Sequence, residues 1–243
     1  MSSICKNCSN QFTGHYCNNC GQSGDVHRLD LHFLWHDVRH GLFHFDEGIL
    51  YSIKQLLLRP GNTIRDFING KRKRHFAPLS LVIVLAGLYG ILYHYFHINP
   101  IVVPSDDDSG IDYEKVNEWL ATHYAWTTLA TIPFYTLGTF IAFRKQGYNV
   151  AEYFVLNAYK ASQRLAVHII LFPLLYCYNH TPAITTIMYI LYCVDLVLIF
   201  WTNIQFFNNI SKIKAFLLSL LSHVIFLVTL FIVLVFIILI FKR

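Results

Sequence analysis

Charge is what this 243-residue sequence has least of: 14% of its residues are Asp, Glu, Lys or Arg, against 55% hydrophobic ones. With a mean hydropathy of +0.43, the composition is not that of one large soluble core and points to a membrane. From Pro78 to the C-terminus, apolar stretches of roughly 20 residues recur, each long enough to cross a bilayer. The opening MSSICKNCSN lacks both the basic start and the apolar run of a signal peptide, so the mature chain is expected to begin at or near Met1. Also missing are a Ser, His and acid arrangement, a P-loop and an HExxH motif, which leaves a conventional hydrolase or NTPase without a visible site and predicts no enzyme. The formal net charge is +5, but residues 1 to 27 hold Lys6 as their only Lys or Arg. The other basic residues crowd beside apolar segments, which predicts topology and lipid contact, with no nucleic acid partner.

What is present at the N-terminus is cysteine. Cys5, Cys8, Cys17 and Cys20 form two CxxC knuckles separated by eight residues, a spacing that can turn four thiolates toward one centre. Ser9 and Asn10 after the first knuckle, and Gly21 after the second, let backbone amides turn toward the sulfurs. One structural Zn²⁺ is the expected occupant, because four thiolates leave no open position for water. Apolar residues are few here, chiefly Ile4, Phe12 and Tyr16, so the segment is expected to need its metal to fold. A pair of disulfides or an iron centre are the competing readings.

Between residues 25 and 77 the apolar residues take a helical rhythm. Leu31, Leu34, Trp35, Val38, Leu42 and Phe45 form one series, and Ile49, Leu50, Ile53, Leu56 and Leu57 another. Helices lying in the membrane interface, or docked on a membrane bundle, both fit this pattern. Arg59-Pro60-Gly61 predicts a break, followed by a short helix around Ile64 to Ile68. His32, His36, His40 and His44 recur every four residues, a spacing that suits metal binding, pH sensing or an anionic lipid surface, the last being the plainest reading. Lys71, Arg72, Lys73, Arg74 and His75 then form a basic run just before the first apolar stretch, where contact with anionic lipid headgroups or a partner is expected.

The predicted fold is an all-α integral membrane protein: a zinc ribbon over 1–24, amphipathic helices with a basic flank over 25–77, and a transmembrane domain over 78–243. Five spans are predicted, at about 78–97, 119–143, 165–178, 183–204 and 215–241, with the third and fourth able to form a re-entrant hairpin instead. The loop after the first span carries six carboxylates and one lysine, while Arg144, Lys145, Lys160, Arg164, Lys212 and Lys214 fall on the opposite side. That asymmetry places the N-terminus in the cytoplasm and the C-terminus outside. Within the spans, Asp195 and His223 lie at similar depth and could pair, as a proton or ion relay with Asn203, Gln205 and His168, or more plainly as one interhelical hydrogen bond. Cys177 and Cys193 read as packing residues. Glu152 sits on one helical face with Val155, Leu156 and Tyr159, and Arg144, Lys160 or Arg164 are its expected anchors.

Three stretches, CKNCSNQFTGHYCNNCGQ, LLLRPGNTIRDFINGKRKRHFAPLSL and YNVAEYFVLNAYKASQRL, give most of the chain a resemblance to a family of bacterial inner-membrane proteins of unknown function. Cys5, Cys8, Cys17, Cys20, Arg59, Pro60, Gly61, Lys71, Arg72, Pro78 and Glu152 fall on the family-like pattern. The resemblance implies location and architecture, a zinc ribbon before a membrane domain, and no activity. Two functions fit the sequence. One is a membrane-anchored adaptor whose ribbon and basic helices bind a partner protein; it accounts for the ribbon and the missing catalytic motifs. The other is a small transporter, channel or lipid-handling protein using Asp195 and His223, against which the lack of an inverted repeat counts.

Overall fold

The computed structural model describes residues 2–30, 48–99 and 113–241. The first amphipathic series, with His32, His36, His40 and His44, lies outside the described residues, as do most of the acidic loop and Lys242-Arg243.

Two short strands, β1 (Ser3–Ile4) and β2 (Gln11–Phe12), pair antiparallel with Ser3 opposite Phe12. The two knuckles repeat one hydrogen-bond pattern. The Cys5 amide donates to the Asn10 carbonyl and the Ser9 amide to the Cys5 carbonyl; the Cys17 amide donates to the Gln22 carbonyl and the Gly21 amide to the Cys17 carbonyl. Closing each turn requires a left-handed residue, supplied by Ser9 at φ 61° and Gly21 at φ 70°. Phe12, Cys5 and Cys17 are the buried hydrophobic residues of this small unit, and Gln22 is buried beside them.

The rest is helical: α1 (Gly48–Leu58), α2 (Pro60–Ile68), α3 (Pro78–Tyr95), α4 (Tyr113–Thr122), α5 (Tyr124–Phe143), α6 (Val150–Cys177), α7 (Ala183–Phe206) and α8 (Lys212–Phe241). Pro60 stops α1 and starts α2, since its fixed φ suits a first helical position where an amide would have no partner. Gly61 is needed for a different reason: any Cβ there would collide with the backbone of Gln205 and Phe206. That close approach lets Arg65 donate to the carbonyl oxygens of Gln205 (3.1 Å) and Phe206 (3.0 Å), capping the C-terminus of α7 with a cation.

α6 is the central element. Its side chains from Ala151 to Ala166 are almost all buried, and it packs against α3, α5 and α7. Tyr159 Oη donates to the Phe76 carbonyl at 2.7 Å and Gln163 Nε2 to the Leu56 carbonyl at 3.0 Å, seating α1 and the basic run on it. α5 lies close against α8 at Gly138, which faces the Ser222 carbonyl, and Tyr135 stacks on Phe226 with ring centroids 3.6 Å apart.

Among the described residues three helices are long and apolar enough to cross a membrane: Pro78–Tyr95, Ala183–Phe206 and Lys212–Phe236. The other two expected spans differ from the helices found. The one expected from 119 is divided, with Trp119 in α4 and α5 beginning at Tyr124. The segment read as an inner loop before a short span from 165 is instead one 28-residue helix, about 42 Å long. Its start is fixed at Asn149, whose side chain accepts from the Glu152 amide while the Glu152 carboxylate accepts from the Asn149 amide, a reciprocal capping box.

Candidate functional site

Two groups of side chains stand apart from ordinary packing. The first is the cysteine cluster. All four Sγ atoms lie within 4.8 Å of one another, with Cys5 to Cys20 at 3.5 Å and Cys8 to Cys17 at 3.6 Å. Four thiolates bound at about 2.3 Å around a tetrahedral ion would sit about 3.8 Å apart, so the set can hold a metal ion with little rearrangement. All six cysteines are free of disulfides, and Cys177 and Cys193, expected as packing residues, are exposed. Burial pushes the Cys5 thiol up to about 11, whereas a side-chain hydrogen bond with Asn7 leads the causes that draw Cys20 down to about 6.

The ribbon is fastened to the helices. Gln22 reaches out of the second knuckle: its Nε2 donates to the Gly70 carbonyl (2.9 Å) and its Oε1 accepts from the amides of Arg72 (3.1 Å) and Lys73 (3.2 Å). Arg28 supplies the other tie. Its Nε and one terminal nitrogen each meet a Glu152 oxygen at 2.8 Å, a two-pronged pair with a carboxylate that is 4% exposed. This corrects the expected anchors of Glu152, because Arg144 lies in the turn before α6 while Lys160 and Arg164 lie two and three helical turns further on. Next to it, Asn149 Nδ2 donates to the carbonyl of the buried Leu29 at 2.8 Å.

The second group lies inside the helix bundle. On α6, Lys160, Arg164 and His168 recur every four residues and share one face. Asp195 of α7 accepts that face: His168 Nε2 lies 3.0 Å from Oδ1 and an Arg164 terminal nitrogen 3.6 Å from Oδ2. The three side chains are between 13% and 19% exposed. Together with Tyr124, Thr127, Thr128 and Thr131 of α5 they line a cavity of about 220 Å³. Arg164 also sits 5.2 Å over the Tyr135 ring, and its Nε is buried with no hydrogen-bond partner among the described residues. One turn nearer the ribbon, Lys160 donates to Asn157 Oδ1 at 2.8 Å, and Asn157 meets Thr139, which in turn contacts Ser222.

Asp195 and His223 do not pair with each other. Both stand eleven residues from the ribbon-side end of their helices, about 16 Å along the axis. Depth alone does not choose a partner. α7 presents Asp195 to α6 and, three residues earlier, Tyr192 to α8, where its hydroxyl lies 3.0 Å from His223 Nε2. Tyr135 lies between the two, with its ring 6.3 Å from that of His223. Of the other expected partners, Gln205 accepts from the Gly61 amide at 3.2 Å, and Asn203 is fully buried with its amide unpartnered among the described residues. Sequence alone gives His168 an accessory place and puts Arg164 among the cations flanking a span. Arg164 and His168 stand four and eight residues after Lys160, a spacing that puts all three on one helical face.

Residues 46–90 match the model of a family described as a protein of unknown function, DUF3667. That segment contains α1, α2, the basic run and most of α3, and excludes both the cysteine cluster and the Arg164, His168 and Asp195 group. No curated protein and no solved structure matches the chain.

Proposed function

We propose that the chain is a small multi-pass transport protein of the bacterial inner membrane, moving protons past Arg164, His168 and Asp195, with a zinc ribbon as its cytoplasmic cap. The observation that carries this reading is the cavity itself: three ionisable side chains from the middle of α6 and α7 meet three threonines from the first two turns of α5. Ionisable groups at such a depth are costly and are retained where they line a pathway or a binding site. In this reading α3, α5, α6, α7 and α8 are the five spans. Part of the polarity of α5 and α6 belongs to Thr127, Thr128, Thr131, Arg164 and His168, which face the cavity. The ribbon end is cytoplasmic, by the placement of Arg144, Lys145, Lys212 and Lys214, and the C-terminus is outside. Zn²⁺ is the metal favoured by four thiolates at tetrahedral separation, and a closed set of four makes it structural.

Reconstitution into liposomes with an entrapped pH-sensitive dye tests this directly. Under an imposed membrane potential the unmodified protein should acidify or alkalinise the lumen, and Asp195→Asn should slow that flux by about tenfold or more. A flux that Asp195→Asn leaves intact, or no flux from either protein, removes the reading.

One observation favours the adaptor as a second reading: on the fastened ribbon, Ile4 and Tyr16 are 66% and 67% exposed, an apolar surface held at a fixed place for a partner protein. Crosslinking in native membranes decides between them. A partner lost with Cys17→Ser and Cys20→Ser but kept with Asp195→Asn supports the adaptor, and the same proteins captured by all variants count against it.

A further inference from the structure

A second cavity, about 660 Å³, lies between the ribbon and the basic run, far along the bundle from Asp195. Asn7 and Asn19 line it from the knuckles, and Arg59, Lys71, Lys73 and Arg74 from the helical side. Its walls are held in place by Gln22, which fixes the backbone from Gly70 to Lys73 against the ribbon. Two of its cations are already engaged: Lys71 pairs with Asp66 at 3.0 Å, and Arg59 donates to Gln55 at 2.6 Å. The side chains of Lys73 and Arg74 have no protein partner among the described residues. His75, at the back of the cavity, has its Nδ1 buried and unpartnered as well.

Neutralising the cysteine cluster does not account for this charge. Four thiolates around a divalent ion carry a charge of 2−, and Asp66 adds one more, so the four Lys and Arg side chains still leave the cavity positive. The cavity is also placed where phosphate is found. Three residues after His75, Pro78 opens the first helix long and apolar enough to span a membrane, which sets the basic run at headgroup level.

We propose that this cavity is an anion site for a phosphate group, bound by Lys73 and Arg74 with the side-chain amide of Asn19 as a further donor. Arg offers a planar fork and Lys a point charge to phosphate oxygens, and amide N–H groups complete the shell. The phosphate belongs either to a lipid headgroup or to a soluble molecule. The site is independent of the transport reading and survives its failure.

The test is calorimetric titration of the full, metal-loaded chain in a neutral detergent with inorganic phosphate, with dihexanoyl phosphatidic acid, and with dihexanoyl phosphatidylcholine as the zwitterionic comparison. Saturable binding of at least one of the first two is expected, weakened about tenfold or more by Lys73→Gln or by Arg74→Gln, and unchanged by Lys214→Gln. Both substituted side chains are exposed, and the backbone they hang from is held by Gln22, so folding is not at stake. Equal affinity for inorganic phosphate and phosphatidic acid assigns a soluble phosphate; preference for phosphatidic acid over both other probes assigns a headgroup. No saturable binding of either phosphate probe up to about 10 mM overturns the proposal. So does binding that neither Lys73→Gln nor Arg74→Gln weakens, or that Lys214→Gln weakens as much.

Discussion

The ribbon and the cluster inside the helix bundle both gather polar groups that apolar packing alone would reject, and they do so over very different distances in the chain. Cys5, Cys8, Cys17 and Cys20 fall within sixteen residues, and two identical turns bring their sulfurs together with hardly any core. Arg164, His168 and Asp195 meet only because α6 and α7 pack side by side, and the threonines that complete the cavity come from α5. The first is a local site that a metal ion can stabilise. The second exists only if the whole bundle has formed, and its stability is that of the surrounding helices. Glu152 links the two, since the same α6 holds Arg28 of the ribbon segment at its first turn and carries Lys160, Arg164 and His168 further on.

Metal removal should break this comparison most strongly. Chelation, or Cys17→Ser, should unfold the ribbon, because metal binding of this kind supplies about 10 kcal/mol or more. Limited proteolysis should then cut within residues 2–30, while circular dichroism keeps the helical signal of α3 to α8. Loss of both signals together would show that the ribbon, through Gln22 and Arg28, stabilises the bundle as well.

Asp195→Asn should act on the opposite region. It leaves the mostly buried Arg164 without its carboxylate, a change that costs about 3 to 5 kcal/mol when one member of a buried pair is removed. The thermal midpoint in detergent should fall while the metal content stays at that of the unmodified protein. In the double variant with Arg164→Gln the two losses should be less than additive, by about 1 kcal/mol or more.

A pH titration probes the seam between the two regions. Burial, with the nearby Arg59 charge adding to it against the opposing effect of Asp66, draws the His75 imidazole down to about 4. The unfolded chain therefore binds a proton that the folded chain refuses between the ordinary histidine value of about 6.5 and 4, so the His75 contribution to stability is complete above that window and lost progressively as pH falls through it. Denaturant midpoints measured across this range should fall with acid, and the slope should shrink in His75→Gln. The smallest effect belongs to Tyr192→Phe, which removes the hydroxyl bonded to His223 while keeping the ring. A loss of about 1 kcal/mol in thermal stability is expected.

Elements set by local chemistry were legible residue by residue. Pro60 marks the break after α1, although α2 opens at Pro60 itself and not near Ile64 as expected; the Asn179 to Pro182 stretch separates α6 from α7, and the CxxC knuckles close as their spacing requires. The continuous α6 was hidden by its own composition. Lys160 and Arg164 read as loop cations in a one-dimensional count, because nothing in that count says that Asn157 and Asp195 will meet them inside the bundle. Glu152 was singled out for the right reason, a carboxylate among buried aromatics, but its partner Arg28 is 124 positions away and no local pattern connects them.

By itself, then, the sequence determined that four thiolates converge near the N-terminus and that long apolar helices follow, since both depend on spacing and composition within a few turns of chain. Only the tertiary structure decided that Asp195 takes Arg164 and His168 while His223 takes Tyr192. Helix depth can be counted along a chain, whereas the direction a side chain faces around the helix axis is fixed by which neighbours pack on which side.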